Sequence, residues 1–460
     1  MTAQFHDVRT DFDWQPQPAA AALVARLLDR CIQDNPQIAT LQRRMHEETG
    51  TRLIDWIDFL GVAGEPSLEI ELLSVGFLKD PSSRRMRGFH HPSGIFPEIH
   101  FASHGAISSL FVKVASVDDF QKAMSPSLGN IKIFGEPGSQ RREAWVQGKH
   151  TMQLHAIERH GWPFGAKSKN SAQEIAAAAK FRRAFAERRR SGQSDGELFA
   201  HAADMFEAAT TAIGRDWACD LFFAAECDYW MSRNAAARIQ YGRQQALGLG
   251  WGNHDHHTYR SSRECFALLI TFLEHAGFEC RERFYAGREA GWGAQVLEQP
   301  HAGFVVFADV DLTSDEVAGD FAHEPLAPQD EFGTVGLWCK LHGEAFLSAG
   351  MHHLECQFDF DAVRQQLAAV GVETMTPFTD WAHLKQAFTK GETWTVQFER
   401  IDAALAAGII TAEQAERFRC DGAIGSHLEI LERNDGFKGF NQTGISEIIT
   451  RTDPRAALLG

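Results

Sequence analysis

The sequence predicts an α+β protein: paired βαβββ modules forming a curved sheet around a cleft, preceded by a mixed N-terminal α/β region and a helical segment. Three observations lead there. From Ser171 to Gly248 the apolar residues recur three and four apart almost without interruption, the mark of helices. After GLGWGN the period switches between two and 3.6 in the order strand, helix, three strands, and that order is then repeated. Ahead of the helical segment, strand-like runs alternate with Gly and Pro turns.

Residues 17–48 carry helical spacing in AAAALVARLLDRCI and the polar stretch after it. Within 50–165, SLFVKVASVDDFQKAM, NIKIFGEP, REAWVQ and TMQLHAIER read as a strand with its helix and three strands. The first C-terminal copy is HDHHTYRSS, the helix RECFALLITFLEHAG closed by Gly277, and the strands FECRERFYA, GWGAQVLEQ and GFVVFADVD. The second is MHHLECQFD, the helix DAVRQQLAAVG, then VETMTPF, TWTVQFER and HLEILER as strands, with a helical inset IDAALAAGIITAEQAERFR. The expected divisions are residues 1–165, read as an α/β region with a degenerate copy of the module, 166–250 as helical, and 251–330 and 331–460 as one module each.

Composition narrows the function classes. At 44% hydrophobic and 23% charged residues, with no apolar run near the roughly 20 residues that span a bilayer, the chain reads as a cytoplasmic protein without a membrane partner. Its start, MTAQFHDVRTDFDWQ, lacks a basic region followed by an apolar core and so does not read as a secretory signal. Eight scattered cysteines without a CxxC pair read as buried, reduced thiols. A formal charge of −16 repels phosphate, so nucleic acid is excluded as a partner. The basic run KFRRAFAERRR at 180–190 reads as a solvated helix face.

Alternation along strands selects the residues that point into the cleft. His256, Thr258 and Arg260 share one face, with His257 and Tyr259 on the other. In the second module Leu354, Cys356 and Phe358 form the helix-facing set, which leaves His353, Glu355 and Gln357 facing in. Leu428 and Ile430 face out, so Glu429 faces the cleft. A metal that binds substrate and O2 together needs few protein ligands, and two histidines with one carboxylate on one side of the ion suit Fe(II). The chain has 21 histidines, most of which serve structure; His254, His257, His352 and Glu355 are rival ligands on the same strands. Arg260 suits either anion binding or a structural ion pair. Glu298 and Glu432 read as solvated or structural, HAIER at 155–159 faces a strand without ligands, and no helix follows GREAGWG at 287–293 to cradle a nucleotide phosphate.

The segment from Asp255 onward resembles the DUF1338 family, the iron-dependent 2-oxoadipate dioxygenase/decarboxylases of the vicinal oxygen chelate superfamily. The matching stretches are DHHTYR, FLEHAGFECRERF, MHH, and GSHLEILER followed by DGF. The resemblance implies metal ligation by His256, His353 and Glu429, with Fe(II) as the metal, and a substrate carboxylate held by Arg260. It implies a 2-oxo acid and O2 as small-molecule substrates, and oxidative decarboxylation to a 2-hydroxy acid, as in the conversion of 2-oxoadipate to 2-hydroxyglutarate. The chain departs from the family at His352, where members carry Asn, in the inset at 401–419 and throughout the first 250 residues. An extradiol or hydroxyphenylpyruvate-type dioxygenase acting on an aromatic substrate is the alternative chemistry, and a non-catalytic metal-binding or structural protein the alternative class.

Overall fold

The computed structural model describes residues 13–80, 87–102, 107–288, 290–329, 332–441 and 452–455. Most of the N-terminal stretch tested for a secretory signal, and Glu289 of the GREAGWG turn, lie outside these residues. Two helices open the chain, α1 (Pro18–Asp34) and α2 (Pro36–Thr49). Proline at the first turn of each sets the helical φ where no donor is lost, and Asn35 caps α2 by accepting from the Gln37 amide. Then come β1 (Ile57–Ala63), α3 (Pro66–Ser74), β2 (Leu78–Lys79), β3 (Arg87–His90), β4 (Glu98–Ala102), β5 (Ser108–Lys113), α4 (Val117–Leu128), β6 (Ile131–Phe134), β7 (Arg141–Val146) and β8 (Met152–Arg159). They form one eight-stranded sheet in the order β2-β3-β4-β1-β5-β8-β7-β6.

Four helices follow: α5 (Ala172–Ala186), α6 (Asp195–Ile213), α7 (Arg215–Ser232) and α8 (Ala235–Gln245). The first two start in capping boxes, Ser171 with Glu174 and Ser194 with Glu197. The second sheet is built from β9 (His254–Arg260), α9 (Phe266–His275), β10 (Glu279–Tyr285), β11 (Trp292–Gln299) and β12 (Phe304–Asp311), then α10 (Thr334–His342), β13 (His353–Gln357), α11 (Phe360–Ala369), β14 (Thr379–Trp381), β15 (Leu384–Phe388), β16 (Glu392–Trp394), α12 (Phe398–Ala406), α13 (Ala412–Asp421) and β17 (Ala423–Arg433). Its order is β10-β11-β12-β9-β13-β17-β15-β14, with β16 on β17. This is the paired βαβββ arrangement.

The strand order of the first sheet is the same, so residues 57–159 hold two βαβββ units where the sequence suggests one. The unit from β1 to β4 escapes a reading of periodicity because β2 has only two residues and β3 four. One face of this sheet, with Leu60, Leu110 and Leu154, packs against α1 and α2. On the other face, Phe59 stacks on Phe111 at 4.1 Å, Phe111 on His155 at 4.6 Å, and Phe164 closes over Phe59 at 4.9 Å. Burial holds His155 down to about 4, so a neutral ring completes an aromatic stack.

Other expectations fail locally. VETMTPF is not a strand: it makes one isolated bridge at Thr374, and Pro377 removes a ladder donor. The outer strands are instead the hairpin β14 and β15. TWTVQFER is strand only to Trp394, and its end starts α12. Cys280 and Cys420 are exposed, although all eight thiols are free.

The largest correction concerns the basic run. α5 ends at Ala186, and Arg188 and Arg190 turn inward to flank the buried carboxylate of Glu226 on α7, at 3.1 Å and 2.5 Å. Both guanidinium groups also donate to backbone carbonyls of Phe346 and Leu347, just before β13, and Tyr259 of β9 donates to Glu226 at 3.4 Å. Burial pushes the Glu226 carboxyl up, but the two arginines outweigh it and hold it below the usual range. Periodicity cannot reveal this, because the partner carboxylate lies 36 to 38 residues away. Removing one member of such a group strands the others without solvent. Glu226→Ala should therefore cost about 3–5 kcal/mol, read as a lower urea midpoint at unchanged slope; a loss under about 1 kcal/mol, the value of a solvated pair, would contradict the buried arrangement.

Candidate metal centre

Strands β9, β13 and β17 lie side by side, β9 antiparallel and β17 parallel to β13. Their register sets His256 opposite Glu355, Glu355 opposite Glu429, and His353 between Thr258 and His427. Residues opposite each other in a ladder share a face, so all of these point to one side. Leu354, Cys356, Leu428 and Ile430 point to the other and join the core beneath the helices. Phe284, Trp292, Phe307, Phe378, Phe388 and Phe440 wall the cavity of about 90 Å³ above the polar face.

The structure brings His256, His353 and Glu429 together, one nitrogen or oxygen of each within 4.8 Å of the others. His353 Nε2 stands 3.0 Å from Glu429 Oε2. His256 Nε2 stands 2.5 Å from Glu355 Oε2, an oxygen with no hydrogen-bond partner among the described residues. Asp255, His256 and Glu355 form a second such group, and His352, His353 and His427 a third. The first is the group whose three members all line the cavity. His427, by contrast, is fully buried with its ring stacked on Phe388 at 4.0 Å.

Neighbouring side chains fix the orientation of the trio. Asp255 Oδ1 meets His256 Nδ1 at 3.0 Å, leaving Nε2 to face the cavity. The same carboxylate takes two hydrogen bonds from Arg433, at 2.9 and 3.0 Å, and one from Gln357. Burial alone would raise Asp255, but Arg433 and His256 hold it below the usual carboxylate range. His353 Nδ1 lies 2.9 Å from His352 Nδ1. Gln386 donates to both Glu355 and Glu429, at 3.1 and 3.2 Å, and accepts from Thr379.

The electrostatics suit a cation. Burial, aided by His427, His256 and Arg260, keeps His353 well below the usual imidazole range, and the neutral ring is the form that ligates. Burial pushes Glu429 well up, and the charges of Glu355 and Asp255 push the same way. Glu355 is raised chiefly by burial. Two carboxylates in one dry site resist double ionisation, and a divalent ion between them removes that penalty. Two imidazoles and a carboxylate with converging atoms thus fit a divalent transition metal.

Arg260 lies at the end of the same face, fully buried, its guanidinium 5.8 Å from the Trp338 ring. Its Nε and Nη1 have no hydrogen-bond partner among the described residues, nor does Thr258 Oγ1. Asp309 is opposite it across the β9–β12 ladder. Of the rival ligands, His254 and His257 line a different cavity behind β9, whereas His352 and Glu355 line the same cavity as the trio; Glu298 pairs with Arg281 and Lys438, and Glu432 caps the start of α11 through the Phe360 amide. Sequence reasoning missed the supporting roles of Asp255, Gln386 and Arg433 and the cavity position of Asp309. Alternation along GFVVFADVD would set Asp309 on the face of Phe307, but it gives no sign of burial.

No family model matches this sequence, and no curated protein matches it. Among solved structures, a glyoxalase superfamily protein from Ralstonia eutropha JMP134 is similar at 13% identity and a TM-score of 0.34, over 58% of this chain and 97% of that one. A mutant 4-hydroxymandelate synthase from Streptomyces coelicolor is similar at 12% identity and a TM-score of 0.25, over 88% and 98%. Methylmalonyl-CoA epimerase from Mycobacterium tuberculosis is similar at 16% identity and a TM-score of 0.22, over 40% and 88%. At such scores the fold assignment rests on the strand order and register described above.

Burial pushes the Asp309 carboxyl up to about 8 against the opposing pull of Arg260. A folded value above the unfolded one means stability that is complete below about pH 4 and lost as pH rises through the folded value. Asp309→Asn should flatten the fall in Tm between about pH 5 and pH 8, a slope of at most about 1.4 kcal/mol per unit for one group. Parallel wild-type and variant curves would show that Asp309 ionises freely.

Proposed function

We propose that the chain is an Fe(II)-dependent dioxygenase and decarboxylase of 2-oxo acids, resembling the DUF1338 enzymes, with His256, His353 and Glu429 as the metal ligands. The observation that carries this reading is the convergence of those three side chains at a cavity that also holds an arginine whose Nε and Nη1 have no hydrogen-bond partner among the described residues. Bound Fe(II) would supply O2 activation and the redox chemistry of decarboxylation. A 2-oxoadipate-like acid would leave as CO2 and a 2-hydroxy acid.

The protein's part is to hold and orient. Asp255 accepts a hydrogen bond from Nδ1–H of His256, so that Nε2 offers its lone pair. His353 with Nε2 committed to a metal carries its proton on Nδ1 and donates to His352 Nδ1. His352 then bears its own proton on Nε2, a buried atom with no partner among the described residues on a side chain that lines the cavity. This gives the substrate a second donor beside Arg260. Residues 256 and 260 are about 13 Å apart along a strand at roughly 3.3 Å per residue, too far to share an ion but suited to grip opposite ends of a small dicarboxylate. The aromatic wall excludes water and strengthens these contacts. It also favours a second reading, in which the acid carries an aromatic ring, as in a hydroxyphenylpyruvate-type reaction; six rings line a cavity of only about 90 Å³.

Anaerobic Fe(II) reconstitution, followed by O2 uptake against aliphatic and aromatic 2-oxo acids, decides between them. His256→Ala, His353→Ala and Glu429→Ala should each abolish binding of one metal per chain; full occupancy in any two sinks the assignment. Arg260→Ala should keep the metal and lose tenfold to a few thousandfold in kcat/KM, about 2–5 kcal/mol, with Arg260→Lys recovering part. Metal-free variants, or unchanged turnover on every acid, would assign the arginine to the fold.

A further inference from the structure

On the opposite side of β9 lies a second cavity, of about 330 Å³, where the ends of β5 and β8 meet α5, α7, α8 and the start of the second sheet. The volume is at the lower end of the roughly 300–1,000 Å³ of small-molecule sites. His257 faces it while His256 faces the metal centre, so the sheet separates the two spaces.

The charges at its surface are matched with one exception. Arg159 forks onto Asp58, with contacts from 2.7 to 3.1 Å. Arg182 pairs with Asp228 and His160 with Asp220. Glu158 accepts from the Val117 amide at 2.9 Å and faces Arg142 at 3.5 Å. Lys113, at the end of β5, makes no hydrogen bond or ion pair among the described residues and lies only over the Phe304 ring, at 5.9 Å. Burial brings its amine down to about 8, with Arg159 adding to the effect. Asp220 and Asp58 attract this ammonium from beyond ion-pair distance while paired to His160 and Arg159, so it has no anion in direct contact. The Tyr241 side chain lines the same cavity. Leu221, Phe223, Met231, Trp251 and Phe304 supply the apolar remainder of the wall.

We propose that this cavity binds a small aromatic carboxylate, its carboxylate on Lys113 Nζ and its ring against the apolar wall. The inference does not depend on the metal centre or its chemistry.

The test is calorimetry on the full chain with benzoate, benzamide and inorganic phosphate as probes. Benzoate should bind once per chain, and benzamide and phosphate about tenfold or more weakly, since the first lacks the charge and the second the ring. Lys113→Met should lose about tenfold or more in benzoate affinity and Lys113→Arg should retain part. Ala224→Trp, which fills the cavity and keeps the charge, should abolish binding. Arg260→Ala should bind benzoate as wild type does, which excludes the other cavity. Lys113→Met should melt no lower than wild type, because the amine it removes makes no hydrogen bond or ion pair among the described residues. The proposal is overturned by absent benzoate binding, by equal affinity for benzamide or phosphate, or by undiminished binding in Lys113→Met or Ala224→Trp. Loss of binding in Arg260→Ala, or a marked drop in the melting point of Lys113→Met, overturns it as well.

Discussion

Everything at the candidate metal centre depends on the hydrogen-bonded seam of three strands, β9, β13 and β17. Side chains alternate with a period of two, so a slip of one residue in either ladder sends His353 or Glu429 to the helix side and brings Leu354 or Leu428 into the cavity. The burial of Leu354, Cys356, Leu428 and Ile430 against the helices is what prevents that slip. The donors on the cavity face are thus placed by the apolar residues between them.

A seam of this kind also needs anchors at its ends. At one end Arg433 grips Asp255, joining the last strand of the second module to the first strand of the first. At the other, the arginines around Glu226 hold the chain that leads into β13. Both are buried charge groups, and such groups contribute little net stability compared with apolar replacements. Their effect here is positional: Asp255 sets which nitrogen of His256 faces inward, and the Glu226 group ties α7, β9 and the approach to β13 into one arrangement.

The sequence made this seam legible because alternation is a local property. His353 and Glu429 could be assigned to the cleft from their apolar neighbours, and His256 and Arg260 from the polar set that they form with Thr258. What stayed hidden is tertiary. Arg188 and Arg190 sit in a run of like charges, and nothing near them in the chain says that a carboxylate waits on the next helix but one. Gln386 lies on a strand of five residues, too short for its period to stand out, beside a proline-containing segment that looked more strand-like. The first of the four βαβββ units went unseen for the same reason, its β2 and β3 being two and four residues long.

The two sheets share one strand order but differ in what fills the face away from their helices. In the first, Phe59, Phe111, His155 and Phe164 close the space with neutral rings; in the second, the same place holds acids and imidazoles. A face filled by rings leaves no donors unused, whereas this one gathers two carboxyls raised by burial beside neutral imidazoles, a donor set that suits a divalent ion. One topology is thus repeated with two fillings, closed by stacked rings in the first half and open over a polar cavity in the second. On the proposed metal reading, loading would be a late and separable event of the second half alone, unlike that of small domains that are unfolded until they bind their metal.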